Sequence, residues 1–291
     1  MPSTYAHYRM GQEVRNAING NEKVIVEKYL DLFNIGLHGP DILFYYHPLH
    51  SNSVNSIGFG LHGKAGKDFF QNVARVLNKT KNDSAHLAYL YGVICHFALD
   101  VTCHGYIDEK IKSSGISHGE IEVEFDRELM VKDGYNPIKH KLTNHIVVND
   151  QNSCVIKDFY EGVTTKNVTK ALEGMINSNN LLLAPSKFKR AMIYMLLKLT
   201  GNYKEMHGLM VNFKKNENCN DSTEHLMDLY DEARRLAIRL IIEYKCYLAG
   251  IDELDAIYEY TFGSKLVKKD RKEGYINEVQ INKAGKGLGV I

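Results

Sequence analysis

The chain has no tryptophan and only five cysteines, an odd number without paired spacing. Such usage argues against a disulfide-stapled scaffold and fits free thiols in a reducing compartment. It also has almost no net charge. Its 36 basic and 35 acidic residues leave +1, which argues against recognition of a long nucleic acid by bulk electrostatics. Long hydrophobic runs are missing too. The most apolar stretches, Tyr89–Leu99 and Ala191–Leu197, fall short of the ~20 residues that span a bilayer, so no transmembrane segment is expected. No basic region followed by an apolar run opens the sequence, so no secretory leader is read there and a cytoplasmic location is expected.

What the sequence does have is helical periodicity. Short helices are expected over Arg9–Ile18 and Glu22–Ile35, the second stopped by Gly36 and Gly39-Pro40. The aromatic run Phe44-Tyr45-Tyr46 leads into a Ser/Asn/Gly loop reaching His62 and Gly63, and Lys67–Leu77 reads as a helix. A central helix runs from about Ala85 to Lys112, capped by Asp83 or Ser84 and ended by Gly115. Ser117 and Glu120 form a capping box that opens the next helix, His118 to about Val131. Further helices are expected over Thr165–Asn177, Ser186–Leu199, Asp221–Leu248 and Asp252–Tyr260. No run of alternating strands and no internal repeat is visible. The fold class read from this is all-α, a single multi-helix domain over residues 1–264. Residues 265–291 form a Lys- and Gly-rich tail, extended or loosely ordered.

The chemistry concentrates on the central helix. His96, Asp100 and His104 recur every four residues, which places them on one face of a helix, one turn apart. The intervening residues are mostly apolar, so this face is bound for burial, and unpartnered polar groups there cost several kcal/mol, about 2–7 for each neutral one. A divalent metal is the simplest partner. His118 and Glu122 repeat the spacing on the following helix. His104, His118 and Glu122 together make a two-histidine, one-carboxylate set suited to zinc with positions left for water. His96 and Asp100 need ligands from elsewhere, and Asp41, His62 and His7 are the candidates. His47 and His50 compete with His62 for the same role. Cys95 and Cys103 read as small core residues.

The order His7, Gly39-Pro40-Asp41, His62, His96-x-x-x-Asp100, His104 and His118-x-x-x-Glu122 resembles the bacterial zinc-dependent phospholipase C family over roughly residues 5–130. That family shares its all-α fold with the fungal single-strand nucleases. The resemblance implies a cluster of two or three zinc ions. In it Asp41, His62, His96 and Asp100 would hold the first, and His104, His118 and Glu122 the second. His7 with a bridging Asp100 would hold part of the third. Secreted members complete the third site with an N-terminal tryptophan, which this chain lacks, leaving His7 and a backbone group around residues 4–6. The Asp100–His104 spacing is also that of an unbroken helix, shorter than the proline-containing gap of secreted members.

The implied activity is hydrolysis of a phosphoester, a soluble small molecule or a phospholipid headgroup, with Asp41 or a metal-activated water as base. The aromatic run after Asp41 could line a pocket for the organic part of the substrate. Two other readings share the ligand set: a nuclease or nucleotidase, and a helical protein that zinc only stabilises.

Overall fold

The computed structural model describes residues 4–199, 201, 203, 207–269 and 275–276. Helix α6 (Ser84–Ser114) is its axis. Residues Ala85 to Val101 of α6 are all buried, so this stretch is apolar on every side and must be covered on every side. Its most apolar 18-residue window is long and apolar enough to cross a membrane, but 89% of that window lies inside the protein. The Asp83 carboxylate caps its N-terminus by accepting from the His86 amide, and Gly115, at φ 71°, ends it in the left-handed region.

Several helices pack on this axis, and four of them frame the site. These four are α1 (Thr4–Ala17), α3 (Leu30–Gly36), α7 (His118–Lys132) and α11 (Asn220–Leu248). The stretch expected as one helix over Glu22–Ile35 is two, α2 (Gly20–Lys28) and α3, because Tyr29 leaves the helical region at φ −123°, ψ 45°. α3 crosses α6 at a glycine pair. A Cβ on Gly36 would stand 2.3 Å from the Tyr89 carbonyl oxygen, and one on Gly92 would stand 2.3 Å from that of Phe33. Only glycine allows the two backbones this close.

A 3₁₀ segment (Gly39–Tyr45) follows α3, and α4 (Asn55–His62) packs on it. The sequence reads residues 51–63 as loop. Instead the Asn52 side chain accepts from the Val54 and Asn55 amides and starts a short helix there. α5 (Gly66–Lys79), α8 (Asp150–Lys157), α9 (Thr165–Leu182) and α10 (Lys187–Leu199) complete the helices used below. Asp221, in the first turn of α11, accepts from Lys110 Nζ at 2.7 Å and ties α11 to α6.

After α11 the chain folds back over the core. Phe97 stacks with Tyr258, ring centroids 5.2 Å apart, and meets Phe262 edge-on at 5.1 Å. Val267 is buried and donates its amide to the Glu259 carbonyl. Two-residue strands, Lys268–Lys269 and Tyr275–Ile276, pair antiparallel. Most of the segment from 265 onward, expected as a tail, lies outside the described residues. The architecture is all-α with one main core, and α6 carries its metal-capable face through the middle of it.

Candidate metal centre

Asp100 is the hub. Its Oδ1 lies 3.3 Å from His7 Nε2 and 3.6 Å from His104 Nε2, and its Oδ2 lies 3.3 Å from His96 Nε2 and 3.9 Å from His62 Nε2. Asp41 Oδ1 sits 3.0 Å from His62 Nε2 and 3.8 Å from His96 Nε2. On the other side, Glu122 Oε1 sits 3.0 Å from His118 Nε2 and 3.4 Å from His104 Nε2. The eight residues singled out in the sequence therefore meet in one place. They fall into three triads, His7/His96/Asp100, Asp41/His62/His96 and His104/His118/Glu122, each with ligand atoms within 4.8 Å of one another.

Each side chain is held there by its own element. Gly39 starts the 3₁₀ segment at φ 47° and lies flat against His96, whose Cδ2 a Cβ would approach to 2.3 Å. That close approach delivers Asp41 two residues later. His62 ends α4 and donates from Nδ1 to the Gly58 carbonyl at 2.9 Å. His104 donates from Nδ1 to the Phe262 carbonyl at 3.0 Å. In a neutral imidazole each bond keeps the proton on Nδ1 and leaves the Nε2 lone pair facing the cluster, the arrangement metal-ligating histidines use. His118 is the first residue of α7, set by the Ser117 hydroxyl that accepts from the Glu120 amide, and Glu122 lies one turn on.

Some of the cluster's buried atoms lack a hydrogen bond among the described residues. Asp41 Oδ1, His96 Nε2, Asp100 Oδ2 and His118 Nε2 are buried and make no hydrogen bond. Each such atom costs about 1–3 kcal/mol if left so. Imidazole nitrogens and carboxylate oxygens converging in this way suit zinc, and carboxylates among imidazoles offset the ion's charge. The electrostatics agree. Burial would raise Asp100, yet the imidazoles of His96 and His104 hold it well below the ordinary carboxylate range. Glu122 behaves likewise, His118 outweighing burial. Burial works to lower His104, but the charges of Asp100 and Glu122 push it up to about 9.

His47 and His50 stand exposed on the surface, and His62 is the histidine that reaches Asp41. Thr4 lines the cleft beside His7, while the Tyr5 and Ala6 amides donate to the Asp126 carboxylate at 2.9 and 2.8 Å. Asp126 is the residue that the sequence reading missed. It sits one turn past Glu122, buried, and receives the amides at the start of α1, so it fixes the helix that carries His7. Its signal was present, since His118, Glu122 and Asp126 continue a four-residue spacing. A second missed pair, His38 and His145, meets Nε2 to Nε2 at 2.7 Å beside the cleft, and no spacing links residues so far apart.

Next to the cleft opens a cavity of about 710 Å³, lined mainly by apolar side chains. Thr4 and Tyr45 line both spaces, and Phe44 and Tyr45 from the aromatic run form part of the cavity wall. Tyr46 is not among the lining residues.

A family model described as zinc dependent phospholipase C matches residues 6–168, which span more than half of the chain and contain all eight cluster residues. No curated protein and no solved structure matches.

Proposed function

The chain belongs to the zinc-dependent phospholipase C family, and from that premise we propose that it hydrolyses a phosphoester whose organic part is apolar. The observation that carries the reading is the convergence of eight imidazole and carboxylate side chains, Asp100 at their centre, with buried ligand atoms among them that make no hydrogen bond. Three triads have room for two or three zinc ions, with Asp100 between the triads. Zinc bound there supplies a Lewis acid for phosphoryl oxygens and lowers the pKa of a bound water toward ~7.

The protein's own residues divide the remaining work. His96 and Asp100 are almost fully buried and hold the geometry rigidly. Asp41 is the most exposed of the three carboxylates, its side chain 16% accessible against 5% for Asp100 and Glu122. It is held ionised because His62 and His96 outweigh the effect of burial. Asp41 is therefore the carboxylate placed to accept a proton from an incoming water. His118, with its side chain 34% accessible, marks the open edge. Next to the cleft, where Thr4 and Tyr45 line both spaces, the apolar cavity takes the organic group of the substrate. An apolar, mostly uncharged pocket suits an acyl-type group better than a polynucleotide, so the nuclease reading is second.

Elemental analysis of the purified protein tests this directly. Two to three zinc ions per chain are expected, together with hydrolysis of a chromogenic phosphodiester. His118→Ala should lower both. Protein that holds no zinc and turns over no phosphoester in its presence would overturn the reading. Full zinc content without turnover would leave the helical protein that zinc only stabilises.

A further inference from the structure

α10 lies beyond the family-matched residues and, among the described residues, packs its Ile193–Leu197 face inward. Ile193 and Leu197 are buried in a small core of their own with Ala184 and Met210. At about 100° per residue, Phe188, Met192, Met195 and Leu199 fall on the opposite face. They form a stripe that is 76, 52, 59 and 78% exposed. A soluble surface helix presents polar residues there, and an exposed apolar stripe calls for an apolar partner. The charges flanking the stripe say what that partner is. Lys187 and Lys198 are exposed about a quarter-turn to one side of it. Residues 174–204 contain five Lys or Arg and no Asp or Glu, in a chain whose net charge is only +1. Lys198 Nζ lies over the Tyr203 ring, 5.1 Å from its centroid, and an apolar stripe bordered by exposed lysines is the pattern of a helix lying in a lipid interface.

We propose that α10 docks the protein onto an anionic lipid surface, with Phe188, Met192, Met195 and Leu199 in the headgroup–acyl boundary and Lys187 and Lys198 at the phosphates. The placement fits the rest of the molecule. Leu181 and Leu49, 54% and 77% exposed, stand on the wall of the 710 Å³ cavity, and Arg190 of α10 lines the same cavity. Docking through α10 thus sets the cavity beside the bilayer. A second copy of the chain is a poorer occupant, because a two-fold contact through this face would bring like charges together with no anion to answer them. The proposal extends the hydrolase reading without resting on it, since docking needs no turnover.

The test is sedimentation of the full chain with phosphatidylcholine vesicles, with and without phosphatidylserine. Phosphatidylserine should be required for tight binding, and salt should release the protein. Phe188→Glu with Met195→Glu should weaken binding roughly 100-fold or more, since two large apolar side chains lose their burial. Lys187→Glu with Lys198→Glu should weaken it roughly 30-fold. All four positions are exposed, so circular dichroism and zinc content should not change. Failure to bind anionic vesicles, or binding that ignores both pairs of substitutions, overturns the proposal. So does a dimer in light scattering that Phe188→Glu with Met195→Glu dissolves without any vesicle binding. Vesicle binding by protein that hydrolyses no phosphodiester would sink the hydrolase reading and leave this one standing.

Discussion

Asp126 shows how a residue outside the ligand set can govern it. Its carboxylate takes the Tyr5 and Ala6 amides, two of the N-terminal donors that a helix cannot satisfy internally. Removing the carboxylate leaves those buried amides unpaired, at about 1–3 kcal/mol each, and loosens the helix that carries His7. Asp126→Ala should therefore lower the melting temperature. It should also weaken zinc binding by roughly 10–100-fold, the usual effect of losing a residue that orients a ligand. Asp126→Asn, which keeps one acceptor, should fall between. Calorimetry and zinc titration check this, and a variant that melts like the parent would mean that water replaces the carboxylate. Gly39 acts by what it lacks, since any side chain there would collide with His96.

The α3–α6 crossing applies the same logic to a whole element. At Gly92 a Cβ would meet the Phe33 carbonyl at 2.3 Å and the Gly36 Cα at 2.8 Å. Gly92→Ala should destabilise by about 1–3 kcal/mol through overpacking. It should also reduce zinc content, because α3 leads directly into the segment bearing Asp41. Gly105, on the same helix, is a control: a Cβ there would find only Ser264 Cβ at 3.7 Å. Gly105→Ala should stabilise by about 0.5–1 kcal/mol through helix propensity alone. Urea denaturation separates the two, and equal shifts would refute the close-packing argument. Elements such as α6 and α7 were legible in the sequence because caps and periodicity are local. The split at Tyr29 and the helix Asn55–His62 were not. The first depends on one backbone conformation, the second on Asn52 turning a polar loop into a helix start. The metal-capable face was legible because one helix spacing encodes it. The His38–His145 pair and the apolar cavity arise only when distant segments meet.

In the whole molecule the cluster gathers α1, the 3₁₀ segment, α4, α6 and α7, so zinc binding and global stability are linked. In zinc-free protein, protons supply part of that cohesion. His104 is lowered by burial but raised further by Asp100 and Glu122, to about 9 against an ordinary 6.5. His96 is raised as well, Asp100 and Asp41 outweighing burial, whereas His7 is lowered by burial and by His96 and adds nothing of this kind. A histidine whose pKa rises on folding contributes stability that is complete below its unfolded value and is lost as pH climbs through the folded one. For His104 that window runs from 6.5 to about 9. Zinc takes neutral imidazole, so its binding strengthens across the same window. The two protein forms should therefore diverge: the melting temperature of zinc-free protein falls from pH 6.5 to 9 while that of zinc-loaded protein holds. Scanning calorimetry at several pH values, with zinc or with chelator, measures the gap. His104→Ala should flatten its pH dependence, and a gap that narrows as pH rises would mean that protons do not stand in for the metal at this centre.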